Sequence, residues 1–349
     1  TPRPQRPPPD ESTPLVNPPD THADPPPPLS RHATHRLEAD GDATEIEWLH
    51  RDDRYTEKLA TPDVSIGDLI GDVDPIKVAE GRYLSDELTI HYGLLPRSHR
   101  GLFCINELPD LTEKVQVGLF NVMEERDVQV KGYQVRLPLD VLVVASANPE
   151  DYTSRGRIIT PLKDRYASQI RTHYPKTRAI ELDIVRQEAT RPEVPGIALH
   201  VPPFLEEIVV ELTHQARSSP DVNQTSGVSV RMTLANYETL LANAARRALR
   251  LGEPESVPRI SDLPALEAST TGKLELEYAG GDRSEAEVVE ELRKRATRVV
   301  FEALAASEGL APVVEAFEQG WQVEVSEAMP SAEYLEGLDE IPGLRDGAA

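Results

Sequence analysis

One cysteine, Cys104, stands among 349 residues, so no internal disulfide can hold this chain together. A lone thiol in an apolar stretch reads as an ordinary small buried residue, and such sparing use fits a reducing, cytoplasmic setting. Long hydrophobic runs are missing. Nothing approaches the roughly 18 apolar residues of a membrane-crossing helix, and there is no basic-then-apolar leader, so we expect no membrane partner. Positive charge is scarce as well: 37 Lys and Arg face 60 Asp and Glu, a formal net charge of −23. That field repels phosphate backbones and argues against nucleic acid as the main partner.

Proline, by contrast, is plentiful but uneven, with 12 of the 31 in the first 30 residues. Residues 1–30 therefore cannot form helix or central strand, and are expected to be extended or disordered. The chain opens on Thr, which fits a fragment or a processed product. A hydrophobic fraction of 39% over this length supports two domains, or one large domain with appendages.

Beyond the proline-rich start, "EIEWLH" (45–50) alternates weakly as a strand would, and "LTIHYGLLP" (88–96) reads as strand or hairpin. "GLFCI" (101–105) and "VLVVASA" (141–147) are continuous apolar runs, as in strands buried on both faces. Between them "DLTEKVQVGLFNVMEE" (110–125) has helical spacing, with Asp110 as expected N-cap and Glu113 three residues on. "DVQVKGYQVRL" (127–137) alternates around Lys131-Gly132, a hairpin signal. "SQIRTHY" (168–174) is expected as one more strand. After Pro175 the texture becomes helical, with a long helix over 229–252 closing on Gly252 and another over 282–306. The last 48 residues hold eleven acidic groups against one Arg. The order of elements implies an α/β sheet with mostly parallel central strands, followed by helices.

The strand "GLFCI" runs into Asn106 and Glu107. Open α/β sheets place ligands at the carboxyl ends of their strands, so a carboxylate there is a candidate general base. A helix-capping or solvated strand end is the plainer reading of the pair. Asn148, at the tip of the second apolar run, suits contact with a phosphate and a water, or simply a turn before Pro149. Arg165 precedes the expected strand at 168–174, although an exposed pair with Asp164 would also account for it. Arg231 near the start of the 229–252 helix carries little by itself.

In order and spacing, "LIGDVDPIKVAEG", "HYGLLPRSHRGLFCINELPDL" and "VGLFNVMEERDVQVKGYQVRLPLDVLVVASANPEDY" resemble the AAA+ ATPases of the magnesium chelatase ATPase-subunit and MoxR type. The resemblance covers about 66–175 strongly, the region to about 267 weakly, and the two ends hardly at all. It implies a five-stranded AAA+ sheet with flanking helices and a helical lid, built into a hexameric ring. ATP and Mg²⁺ are the cofactors it implies, and a von Willebrand A-domain protein is a partner. By carry-over, Glu107 is the catalytic base, Asn148 the first sensor, Arg165 the finger acting on a neighbouring subunit and Arg231 the second sensor. The expected domains are a partial AAA+ core over 31–176, a helical lid over 177–267 and a helical region with an acidic tail over 268–349.

Two departures qualify the resemblance. Asn106 stands where the family has Asp, so any hold on Mg²⁺ would be weak and through a metal-bound water. The Gly-Lys-[Ser/Thr] phosphate loop is also missing, since the one Gly-Lys, in "TTGKLE" (270–275), is followed by Leu and has no apolar strand before it. We therefore expect the first strand and its loop to be lost from this chain, leaving feeble ATP hydrolysis or none. The leading reading is an AAA+ motor that remodels a partner protein; the alternative is a non-hydrolysing platform subunit of a chelatase-type complex. An enhancer-binding transcriptional activator ranks last, because no basic DNA-binding helix pair is present.

Overall fold

The computed structural model describes residues 31–43, 51–81, 89–124, 128–130, 133–135, 139–148, 156–223, 227–277, 283–305, 311–322, 326 and 328–338. They fall into two compact units divided after Ile170. The proline-rich start and the expected strand at 45–50 lie outside the described residues. Among the described residues no helix is long and apolar enough to cross a membrane.

The first unit runs α1 (Arg31–Asp40), β1 (Tyr55–Leu59), α2 (Ile66–Leu69), β2 (Gly71–Val73), α3 (Pro75–Ala79), β3 (Ile90–Tyr92), α4 (Leu94–Arg97) and β4 (Leu102–Asn106). It continues through α5 (Glu113–Gly118), α6 (Phe120–Glu124), β5 (Val128–Val130), β6 (Tyr133–Val135), β7 (Leu142–Ala145) and α7 (Thr160–Lys163). β4 lies at the centre of a parallel sheet ordered β1-β4-β7. Two antiparallel pairs, β2 with β3 and β5 with β6, flank it in sequence. The second of these is the hairpin expected around Lys131-Gly132.

The period-2 geometry of β4 decides where the core lies. Phe103 and Ile105 are buried with Leu69, Ile90, Leu95, Leu108 and Leu162. The other face carries Tyr55, Leu59, Leu102, Leu142 and Val144, all exposed, Leu142 by 62%. So β4 and β7 are not buried on both faces as their apolar runs suggest; one side of the sheet is exposed, and among the described residues β7 is paired on one edge only.

The parallel sheet holds three strands among the described residues. Two expectations are corrected. Residues 168–174 form no strand, and Ile170 is 89% exposed. The helix over 110–125 is split: a 3₁₀ turn at Leu108–Asp110, then α5 with N-cap Thr112, then α6. Pro109 lies in the turn's first positions, where its missing N–H does no harm. Gly118 ends α5 where a Cβ would press within 3.3 Å of Ile66.

At the amino end of β4, His99 is buried and its Nδ1 accepts from the Asp140 backbone N–H at 2.9 Å. Burial, reinforced by the Arg100 charge, pushes its pKa down to about 4. The unfolded imidazole binds its proton near pH 6.5, so between 6.5 and 4 the unfolded state holds more protons. The contribution is complete above pH 6.5 and drains away as pH falls towards 4, by up to about 3 kcal/mol. Urea unfolding at pH 7 and pH 4.5 measures this; His99→Gln should flatten the difference, and an undiminished fall in that variant would assign it to other groups.

The second unit is helical: α8 (Arg178–Glu188), α9 (Pro203–Ser218), α10 (Val230–Leu251), α11 (Glu267–Thr270), α12 (Glu285–Ala305), α13 (Ala311–Glu318) and α14 (Ser331–Leu338). A two-residue parallel pair, β8 (Ala198–Leu199) with β9 (Glu255–Ser256), ties its early and middle parts. α10 begins on a Ser229 cap and ends at Gly252 in left-handed backbone, φ 68°, as the sequence suggests. Its apolar face packs Met232, Tyr237, Leu240 and Leu241 against Leu205, Val209 and Leu212 of α9. Inside that packing sits Glu181, fully buried, gripped by Arg217 at 2.5 and 3.0 Å and by the Thr233 hydroxyl at 2.5 Å.

Candidate functional site

Parallel pairing of β4 and β7 brings their carboxyl ends to one edge of the sheet. The ladder continues past both strands: Ser146 N–H donates to Ile105 O at 2.9 Å, and Leu108 N–H to Ser146 O at 2.9 Å. Side chains add a second stitch. Glu107 N–H donates to Ser146 Oγ at 3.1 Å, and the Ser146 hydroxyl donates in turn to Asn106 Oδ1. Because that hydroxyl already accepts from Glu107, its single proton is free for the Asn106 oxygen. The Asn106 oxygen is thus engaged inside the fold, and the amide's remaining polar group is a donor.

Glu107 has φ 57° and ψ 47°, left-handed backbone that non-glycine residues rarely adopt. Its surroundings hold it there. Asp110 N–H closes the following turn on Glu107 O at 2.9 Å, and Leu108 and Pro109 are buried beneath. Gly156 lies so close that a Cβ would stand 2.2 Å from Pro109 O. The buried Gln116 amide then clamps the segment, donating to Leu111 O at 2.9 Å and Arg157 O at 3.1 Å while accepting from Ile159 N–H at 3.0 Å. The Glu107 carboxylate is half-buried and has no ion-pair or side-chain hydrogen-bond partner among the described residues.

Asn148 is exposed three residues beyond β7, at the same end of the sheet as Glu107. Arg165 lies in the turn after α7, not before a strand. It donates to Pro161 O at 2.6 Å, pairs with Glu124, and stacks its guanidinium 4.7 Å over the Phe120 ring. Arg231 belongs to the second unit, exposed in the first turn of α10 with its N–H on Ser229 Oγ at 3.2 Å. The site thus joins Asn106, Glu107 and Ser146 by hydrogen bonds and sets Asn148 at the same sheet end. Sequence reasoning missed Ser146, although a small hydroxyl between the apolar run and Asn148 was the available sign. Among the described residues no three His, Cys, Asp or Glu are grouped to hold a metal ion.

Residues 80–163 match the family model of the Sigma-54 interaction domain. The fold is AAA+. The matched stretch spans the strand ending in Glu107, the paired segments beyond it and the Asn148 tip, and stops two residues before Arg165. Similar solved structures include a candidate ATPase from Cytophaga hutchinsonii, 17% identical, covering 69% of this chain and 76% of that one with a TM-score of 0.29. NtrX from Brucella abortus, in complex with ADP, is 18% identical over 82% of this chain with a TM-score of 0.38. This chain spans 57% of NtrX. The complex between subunits BchI and BchD of magnesium chelatase supplies a chain 19% identical, covering 75% of this chain and 72% of that one with a TM-score of 0.32. The matching model is that of the activator class that the sequence reading ranks last, and the AAA+ core is what the match covers.

Proposed function

We propose that this chain carries the hydrolytic half of a magnesium-chelatase- or MoxR-like AAA+ ATPase site, with ATP hydrolysis coupled to remodelling of a partner protein. The observation that carries the reading is the Glu107 carboxylate. It is half-buried, without a side-chain partner among the described residues, and held in left-handed backbone at the tip of the central strand, at the same sheet end as Asn148. Bound ATP would supply the terminal phosphoryl group. Glu107 takes the proton of the attacking water on a carboxylate oxygen, and the Asn148 amide orients that water. Arg165 serves a neighbouring subunit of a ring, and Arg231 acts from the lid.

The residues present do not fit a tightly held Mg²⁺. Asn106 brings no charge, and its oxygen already accepts from Ser146, so no step is assigned to the metal. No Gly-Lys-[Ser/Thr] loop exists in the 349 residues, so the motor reading needs a phosphate cradle that these residues do not supply. The edge of β7 that has no partner among the described residues suits a further parallel strand delivering it.

These same two features favour a second reading, the non-hydrolysing platform subunit of a chelatase-type complex. Mg-ATP turnover by the native assembled protein decides between them. The motor requires measurable turnover that falls about 100-fold in Glu107→Gln while nucleotide affinity holds. Nucleotide-independent assembly with no turnover in the wild type would favour the platform.

A further inference from the structure

At the carboxyl end of α10 a cavity of about 90 Å³ is lined by Asn243, Arg246, Arg247, Arg250, Asp262 and Ala328. A water occupies about 30 Å³ in the liquid, so the space suits one tetrahedral oxyanion or a few waters. Three guanidinium groups converge here in a chain of net charge −23.

Much of the cluster is internally satisfied. Arg247 is buried, donating through Nη1 to Asp262 and through Nη2 to Val257 O. Asn243 donates to the other Asp262 oxygen at 2.8 Å, and Arg259 N–H also reaches that carboxylate, at 2.7 Å. Asp262 therefore neutralises one arginine and is fully used. What is left over points to a ligand. Arg247 Nε is buried with no partner, Arg250 has no ion pair among the described residues, and Arg246 donates only to the neutral Asn243. Arginine in the last helical turn complements the helix dipole, which accounts for the placing of Arg250. It does not account for an unsatisfied donor on a buried guanidinium, which is costly unless something meets it.

A segment of the carboxyl-terminal region borders the cavity. Ala328 forms part of its wall, and next to it Arg259 donates to Met329 O at 2.7 Å and to Ser331 Oγ at 2.6 Å. Ser331 N–H donates to Glu253 at 2.6 Å, and the Arg259 guanidinium stacks 4.5 Å over Tyr334. The wall is thus anchored by Arg259 and Glu253, and its bonds do not engage Arg246, Arg250 or the Arg247 Nε.

We propose that this cavity is a binding site for a phosphate group, either free phosphate or a phosphomonoester, held by Arg246, Arg247 and Arg250. Arginine suits the planar, bidentate recognition of phosphate oxygens, and two or three charge-assisted bonds place the affinity for phosphate alone at about 0.1–1 mM. The site lies in the second unit and is independent of the hydrolytic reading.

Titration calorimetry on the full chain at constant ionic strength tests it, with inorganic phosphate as ligand and chloride as control. Saturable binding of one phosphate is expected, weakened at least about 10-fold in Arg246→Gln/Arg250→Gln. Both arginines are exposed, so the double variant should fold, and far-ultraviolet circular dichroism checks that it does. A parallel titration with O-phosphoserine separates the sources: tighter binding than phosphate marks a phosphomonoester, and equal binding marks the phosphate group alone. Binding no stronger than chloride, or undiminished in a folded double variant, would overturn the proposal.

Discussion

Arg165→Ala should cut ATP turnover of the assembled protein by about 10³-fold while leaving nucleotide affinity within a few-fold of wild type. In the structure this guanidinium is held by Glu124, Pro161 O and the Phe120 ring, with Nε buried and unpartnered. Service to a neighbouring subunit therefore requires exchange of the Glu124 contact for a phosphate. The ion pair costs little to give up, because Glu124 is 55% exposed and such pairs are worth about 0–1 kcal/mol. Arg165→Lys keeps the charge but loses the planar fork, so it should recover only a small part of the rate. Single-turnover and steady-state assays, each with a nucleotide titration, separate the two effects. Full turnover by Arg165→Ala in an intact assembly would remove Arg165 from the chemistry and leave it as a clamp between α6 and α7.

The second large effect is one of stability. Glu181→Ala should destabilise the helical unit by about 3–5 kcal/mol, because it strands Arg217 as a largely buried charge and deprives the Thr233 hydroxyl of its acceptor. Glu181 reaches across three helices at once, with His214 also 3.0 Å from its carboxylate. Denaturant unfolding followed by circular dichroism should show an earlier transition carrying most of the helical signal. Glu181→Gln keeps an acceptor for Thr233 and should recover part of the loss. A midpoint within experimental error of the wild type would mean that the cluster relaxes onto water.

How much of this was legible beforehand depended on the kind of signal. β4 and β7 were visible because continuous apolar runs ending in polar groups are hard to mistake, and the hairpin at Lys131-Gly132 because alternation and turn residues coincide. β1 was missed: "YTEKL" has no apolar run, and as a sheet edge with exposed Tyr55, Glu57 and Leu59 it needs none. The strand expected at 168–174 failed for the converse reason. Its alternation of Ile170 and polar residues fits an edge, but Ile170 is exposed and the segment crosses the boundary between the two units, so it has no buried face of its own. The helix expected over 110–125 begins instead as a 3₁₀ turn that holds Pro109, and α5 ends at Gly118. At the site, Glu107 and Asn148 could be singled out by residue type and position. The Ser146 relay could not, because it depends on β4 and β7 being neighbours in register, which no single stretch of sequence encodes.

The left-handed backbone at Glu107 has a consequence for how this position can change over time. Selection for stability alone would settle on Gly or Asn, which occupy that region with little steric strain, whereas Glu forgoes on the order of 1 kcal/mol there. Asp would relieve part of the strain and keep the charge, but its carboxylate would stop one methylene short. Drift is therefore confined from both sides: relaxed residues surrender the acid, and the only acid of full reach keeps the penalty.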